Sequence, residues 1–367
     1  MGTPPVTRAL AGTAMQGDVP RLMRRLRSLL LICLFPGVAG CVPRLATSTR
    51  DALLDRLFAP PTPQERAAVE ADWAHRDVRA RDVRVEWEGR SGSARLLVLS
   101  HRIGAVRHVG AVRVPRTAPG TRLPVLVIGH GGDRGTSPRE FIRRGPLAEG
   151  WIQVLPTFRS ERLYATPLRW YRAGGTPSPW DRDTDDALAL LDAVLRHVPG
   201  ADSTRIAALG RSRGGGVALL MAARDPRIDA VVVQFGPTDF LLPDVRARAR
   251  QALSTRLARL PGAGFLADSV LFALRDGRVS VAQARVGLLR RSPAWFAHRL
   301  PPVQIHHGTV DRKVPPAHGI RLHQALVQQG RPVELHLYDA AGHRARALIG
   351  HQARIEAFLI RHVTQER

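Results

Sequence analysis

The sequence predicts an α/β domain: a mostly parallel central sheet, helices on both of its faces, and a helical cap inserted at about residues 239–300. Three observations predict it. Leu123-Pro124-Val125-Leu126-Val127-Ile128 is apolar throughout, the pattern of a strand buried on both faces. From there to the C-terminus, short apolar runs alternate with amphipathic stretches, and strands that alternate with helices pair in parallel. The alternation breaks once, over the leucine- and arginine-rich residues 239–300, and then resumes.

Each element has its own warrant. Residues 41–80 are polar and proline-containing, then alanine-rich from Gln64 to His75, and read as a tether and a short helix. From residue 81 the main domain begins. Val83–Trp87, Ala94–Ser100 and Gly110–Val114 show strand-like alternation with turns between them, an antiparallel start to the sheet. After the buried run come a helix over Arg139–Glu149, a strand over Trp151–Pro156 and an amphipathic helix over Asp183–Val198. Arg205–Leu209 is a strand, Gly214–Ala223 a helix and Ile228–Phe235 a strand. Inside the insertion, Asp244–Ala258, Val270–Leu274 and Ala282–Arg290 read as helices. The chain closes with strand Val303–His306, helix Gly319–Gln329, strand Val333–Tyr338 and helix Leu348–Val363.

Composition narrows the function. With 44% hydrophobic and 23% charged residues over 367 positions, the chain buries a full core and is not a disordered protein. Two cysteines exclude a disulfide scaffold and a four-cysteine zinc site. The net charge of +24 rests almost wholly on arginine, since lysine occurs once, at Lys313. A nucleic-acid binder gathers such charge on one face or in one run. Here it is spread along the chain and interleaved with Asp and Glu, so no nucleic-acid partner is expected.

The first forty residues carry an export signal. Arg21, Arg24, Arg25 and Arg27 precede the apolar run Leu29–Phe35, and Val38-Ala39-Gly40-Cys41 follows. That ending looks like a bacterial lipobox, in which the Cys41 thiol is acylated and tethers the protein to a membrane. Residues 1–40 are then a signal peptide, and the expected location is the cell envelope, on the periplasmic side of the outer membrane.

Gly210-Arg211-Ser212-Arg213-Gly214 stands between a strand and a helix, the context that a G-x-S-x-G nucleophile elbow requires. The turn is tight, so positions two before and two after the serine must lack side chains. A serine nucleophile needs a base, and the base an orienting acid, in the chain order serine, acid, histidine. Asp311, just past the strand at 303–306, lies 99 residues on, and His343, past the strand ending at Tyr338, a further 32. Asp239 also follows a strand and is the rival acid; its other reading is a cap for the insertion. Asp339 reads as a strand-end carboxylate. Gly129-His130-Gly131-Gly132 follows the buried strand, where close-approaching amides can meet an oxyanion. Its donors are the amides of Arg213 and Gly132, with Gly131 or Asp133 as alternatives to Gly132.

Together with Ser292-Pro293-Ala294 and the stretch Pro302-Val303-Gln304-Ile305-His306-His307-Gly308-Thr309-Val310-Asp311-Arg312-Lys313-Val314-Pro315, these motifs resemble the α/β-hydrolase superfamily. Within it the chain is most similar to prolyl-oligopeptidase-type catalytic domains and their dienelactone-hydrolase-like neighbours, over about residues 83–365. The resemblance implies an α/β-hydrolase fold, with Ser212 as nucleophile, Asp311 as acid and His343 as base. Phe158-Arg159-Ser160 stands where those peptidases often carry aromatic-Arg-Gly. The expected activity is hydrolysis of a carboxylic ester, small amide or peptide bond through an acyl-enzyme, without metal or organic cofactor. A non-catalytic ligand-binding lipoprotein is the alternative from another class. Arg211, Arg213, Arg290 and Arg291 are expected to favour an anionic or carbonyl-rich substrate.

Overall fold

In a computed structural model of the protein, residues 47–118, 120–166, 168–255 and 263–365 are described. The signal peptide expected at 1–40, the expected lipidation site Cys41 and the end of the helix expected to reach Ala258 lie outside the described residues.

The strands are β1 (Arg81–Ser91), β2 (Ala94–Ile103), β3 (Val106–Val114), β4 (Leu123–Gly129), β5 (Ile152–Pro156), β6 (Arg162–Thr166), β7 (Arg169–Arg172), β8 (Ala201–Arg211), β9 (Ile228–Gln234), β10 (Val303–Gly308) and β11 (Val333–Tyr338). Nine of them make one sheet in the order β1-β2-β3-β5-β4-β8-β9-β10-β11. The first three are antiparallel, β3 meets β5 antiparallel, and the six strands β5-β4-β8-β9-β10-β11 run parallel. Side-chain alternation explains the apolar runs. In β4, Val125 and Val127 enter one core while Leu126 and Ile128 enter the other. In β8 the same split sends Ile206 and Ala208 one way and Ala207 and Leu209 the other.

The helices are α1 (Thr47–Leu57), α2 (Pro63–Ala74), α3 (Pro146–Glu149), α4 (Asp181–His197), α5 (Arg213–Arg224), α6 (Pro243–Thr255), α7 (Ala263–Leu266), α8 (Ala273–Arg275), α9 (Val281–Leu289), α10 (Ala317–Gln328) and α11 (His351–Val363), with a π-helical turn at Ala267–Phe272 joining α7 to α8. Leucines of α4, α5 and α10 fill one core, and Ile355, Phe358 and Leu359 of α11 fill the other. Helices therefore cover both faces, as expected.

Three expectations need correction. Residues 139–149 do not form one helix; a single 3₁₀ turn at Pro138–Glu140 and the four-residue α3 stand there instead. Gly145, at φ +82 and followed by Pro146, breaks the chain direction between them. The stretch read as a tether carries two helices rather than one. Leu54 and Leu57 of α1 are fully buried, and Arg285 of α9 hydrogen-bonds the carbonyls of Arg56, Leu57, Ala59 and Pro60 while gripping Glu65 at 2.6 and 2.8 Å. The β6–β7 hairpin was not foreseen: its strands are only five and four residues long, and although β6 alternates exposed and buried positions, β7 buries none. Among the described residues, no helix is long and apolar enough to cross a membrane.

Candidate active site

The elbow forms where β8 hands over to α5. Ser212 sits at φ 52, ψ −122, a backbone conformation that a side-chain-bearing residue adopts only when its surroundings enforce it. The surroundings are glycine. A Cβ on Gly210 would stand 2.1 Å from the Gly214 carbonyl oxygen, and one on Gly214 would stand 2.2 Å from the Gly129 carbonyl. The Ser212 amide donates to the Gln234 carbonyl at 2.9 Å, which ties the elbow to β9.

Two further loops at the same sheet edge bring the acid and the imidazole. The β10 and β11 loops are laced together: Thr309 N donates to Tyr338 O at 2.9 Å, Val310 N to Ala341 O at 3.1 Å, and Ala340 N to Thr309 Oγ1 at 3.1 Å. Gly308 lets them approach, since a Cβ there would meet the Ala341 carbonyl oxygen at 2.2 Å. His343 Nδ1 then lies 2.7 Å from Asp311 Oδ2, and its Nε2 lies 2.9 Å from Ser212 Oγ. The other carboxylate oxygen of Asp311 accepts from the amides of Lys313 and Val314 at 2.9 and 3.1 Å. Burial pushes the Asp311 carboxyl up, but the His343 contact and these two amides outweigh it and hold it below the usual carboxylate range. An ionised Asp311 fixes the tautomer with a proton on Nδ1, which leaves Nε2 free to take one from Ser212. Phe235 packs against the imidazole with ring centroids 4.5 Å apart.

The rival acid is elsewhere. Asp239 is buried, accepts from the Leu241 amide at 2.8 Å and faces Arg321 at 3.3 Å, so it holds the turn that leads into α6. Asp339 is exposed.

On the oxyanion side, Gly131 lies against the nucleophile: a Cβ there would be 3.3 Å from Ser212 Cβ. Gly131 and Gly132 both line the cavity, while Asp133 is exposed. As the first residue of α5, Arg213 has an amide without an intrahelical acceptor. The Gly131 carbonyl accepts from His130 Nδ1 at 3.2 Å, and the Gly132 carbonyl from the Arg213 guanidinium at 3.2 Å. Because a trans peptide points its N–H opposite its C=O, these two bonds set the direction of the Gly132 and Asp133 amides.

The Arg213 side chain, expected to meet substrate, is instead a buried strut. It is 4% exposed, contacts Asp183 at 2.7 Å and Glu161 at 2.5 Å, and lies over the Phe158 ring at 4.5 Å. Burial pushes the Glu161 carboxyl up to about 7 and raises that of Asp183, with Arg213 pulling both the other way. Arg290 faces Asp72 and Asp181 at 3.3 and 3.7 Å, and Arg291 donates to the Pro179 carbonyl at 2.9 Å. Of the four arginines, only Arg211 and Arg213 line the cavity, and the Arg211 guanidinium is paired with Glu140. The side chains of Arg213, Arg290 and Arg291 are thus committed to partners within the protein, and Arg211 is the one of the four whose guanidinium stands at the cavity beside Glu140. Sequence reasoning also missed His307, which donates to Val314 O at 2.8 Å and lies 3.6 Å from Asp311 Oδ2. Its adjacency to His306 in an apolar strand was the available signal.

Ser212 and His343 open into a cavity of about 760 Å³, walled by α6, α7, the π-helical turn and Phe58. No cluster of three or more metal-ligating side chains occurs among the described residues.

A parallel sheet with a serine elbow after one strand and an acid and a histidine after two later ones is the architecture of the α/β hydrolases, and the chain is a serine hydrolase of that class. Two sequence families match parts of it: the prolyl oligopeptidase family over residues 281–366, and acetyl xylan esterase (AXE1) over residues 184–242. Among solved structures, acetyl xylan esterase 1 from Thermoanaerobacterium sp. JW/SL YS485 superposes with a TM-score of 0.60 at 17% identity, covering 85% of this chain and 98% of the other. The acetyl xylan esterase from Paenibacillus sp. R4 gives 0.56 at 18%, over 85% and 99%. The Pyrococcus horikoshii acylaminoacyl peptidase gives 0.52 at 14%, over 77% of this chain and 50% of that one. A search of curated proteins found no match.

Proposed function

We propose that the protein hydrolyses carboxylic esters through an acyl-enzyme on Ser212. His343 takes the Ser212 proton as the serine attacks the carbonyl, and Asp311 stabilises the imidazolium that results. The amides of Arg213 and of Gly132, or of Gly131 in its place, receive the negative charge on the carbonyl oxygen. His343 then protonates the leaving alcohol, and a water activated by the same imidazole releases the acid. The observation that carries this reading is the continuous chain Asp311 Oδ2, His343, Ser212 Oγ, with contacts of 2.7 and 2.9 Å, Ser212 and His343 both lining the cavity. An ester rather than a peptide substrate is supported by correspondence with nearly the whole of two acetyl xylan esterase chains, against half of the acylaminoacyl peptidase.

The test compares wild type with Ser212→Ala on 4-nitrophenyl esters, an aminoacyl anilide and a fluorophosphonate probe. Wild type is expected to turn over the esters and take up one probe at Ser212, and the variant to do neither. Equal turnover by both proteins removes the mechanism, and faster anilide cleavage replaces esterase by peptidase. We further propose that Cys41 carries the lipid tether. In the same expression host, Cys41→Ser is expected to move the protein from the membrane to the soluble fraction, and an unchanged distribution counts against the tether.

A further inference from the structure

The cavity is much larger than an acetyl group requires. At about 760 Å³ it lies in the range that accommodates drug-sized ligands. Its wall is built largely from Phe58, Phe240, Val245, Leu266, Leu271 and Leu288, contributed by the turn after α1, the β9–α6 loop, α6, α7, the π-helical turn and α9. Several charged groups of the same wall are engaged within the protein. Asp244 faces His318 Nε2 at 3.7 Å, the Arg248 guanidinium donates to the Arg312 carbonyl at 3.1 Å, and Arg211 is paired with Glu140. Lys313 and Arg344, which also line the cavity, belong to the loops that carry Asp311 and His343. A hydroxyl-rich sugar would meet mostly carbon there and leave its own donors unpaired, whereas an apolar chain or ring would be desolvated without that cost.

We propose that the substrates are esters bearing a large apolar substituent, an alkyl chain of roughly six to ten carbons or an aryl group, seated under the cap. This rests on the esterase reading above and sharpens it. Burial of each methylene in such a pocket is worth about fourfold in kcat/KM. The insertion is thus the specificity element: α6 and the turn after α7 supply the apolar wall that decides which substituent fits.

The experiment uses the purified full-length protein, with rates counted per Ser212 titrated by a small fluorophosphonate. One series holds 4-nitrophenol constant and lengthens the acyl group from acetate to decanoate. A second holds acetate constant and lengthens the alcohol from methyl to decyl. We expect kcat/KM to rise at least tenfold along one of the two, and which one rises says whether the acyl or the alcohol part occupies the cavity. We also expect Val245→Trp, which adds bulk at the wall, to lower the long-to-short ratio at least tenfold. Labelled enzyme that favours the two-carbon ester and gains nothing in either series overturns this inference and leaves the esterase reading standing. Failure of Ser212 to label overturns both.

Discussion

At the scale of single residues, the site is decided by which carboxylate reaches the imidazole. Asp311 and Asp239 both follow parallel strands, and both are buried. Only Asp311 contacts His343, while Asp239 is committed to the Leu241 amide and Arg321. Asp311→Asn is therefore expected to lower kcat about ten-thousandfold, because an amide at that position stabilises the wrong imidazole tautomer. Asp239→Asn is expected to leave kcat near wild type and to lower the thermal midpoint. Ester kinetics and a melting curve on the two variants check this. A reversed pattern would exchange their roles. The arginines tell a similar story. Arg213 and Arg291 occur in motifs that invite a substrate-binding reading, yet both are almost fully buried, contacting carboxylates or carbonyls of the protein itself. Removing one partner from such a buried pair leaves an uncompensated charge, which is why these positions bear on folding before they bear on substrate.

At the scale of elements, the β8–α5 elbow holds its serine in place because three glycines allow backbone to touch backbone. Gly129, Gly210 and Gly214 are so close that a methyl on any of them would overlap main-chain atoms, with hypothetical contacts of 2.6, 2.1 and 2.2 Å. Gly214→Ala is expected to destabilise the protein by about 1–3 kcal/mol or more, since the neighbours are backbone and have no rotamer to change. Urea unfolding measures it, and a variant as stable as wild type would show that the elbow tolerates a shift. The same elements show how much was readable beforehand. Strands β4, β8 and β9 announced themselves by the apolar runs Leu123–Ile128, Ile206–Leu209 and Ala230–Val233, because stretches covered on both faces leave few polar positions, whereas the edge strand β11 is only partly buried and alternates polar with apolar residues. Residues 138–149 did not, because Gly145 and Pro146 break the helix and the surrounding loop is shaped by tertiary bonds such as the Ile142 amide to Gln153 at 2.8 Å.

At the scale of the whole molecule, several arginines are engaged in buried ion pairs within the protein. Arg76, Arg159, Arg213 and Arg224 all converge on the acidic start of α4, reaching Asp181, Asp186, Asp183 and Asp185 at 2.6, 2.7, 2.7 and 2.6 Å. Burial also sets the acid response. It brings His108 and His307 down to about 4 and His130 and His306 down to about 3, against 6.5 in an unfolded chain. Below pH 6.5 the unfolded chain binds protons that the folded one refuses, so each such histidine contributes stability that is complete above 6.5 and is lost as pH falls toward its folded value. Glu161 and Asp186, raised by burial to about 7 and about 6, act with the opposite sign, so a single variant isolates the effect best. His306, which accepts from the Tyr338 hydroxyl at 2.7 Å and donates to Gln304 Oε1 at 2.8 Å, is suited to it. The stability advantage of wild type over His306→Gln is expected to shrink by about 1.4 kcal/mol per pH unit between roughly pH 6 and 4. Denaturant titrations at stepped pH check this, and a constant difference would mean that the imidazole protonates in place.

The main strands of the sheet with their covering helices, the elbow at Ser212 and the loop positions of His343 and its two candidate acids were legible in the sequence alone. They are local: a strand buried on both faces must be apolar along its length, and a tight turn carrying a serine must be flanked by glycine. Tertiary structure alone decided which acid faces the histidine, where the arginines spend their charge, and that the turn after α1 supplies Phe58 to the cavity wall. Those outcomes depend on contacts between residues far apart in the chain, and a pattern read along the chain contains no distances across it.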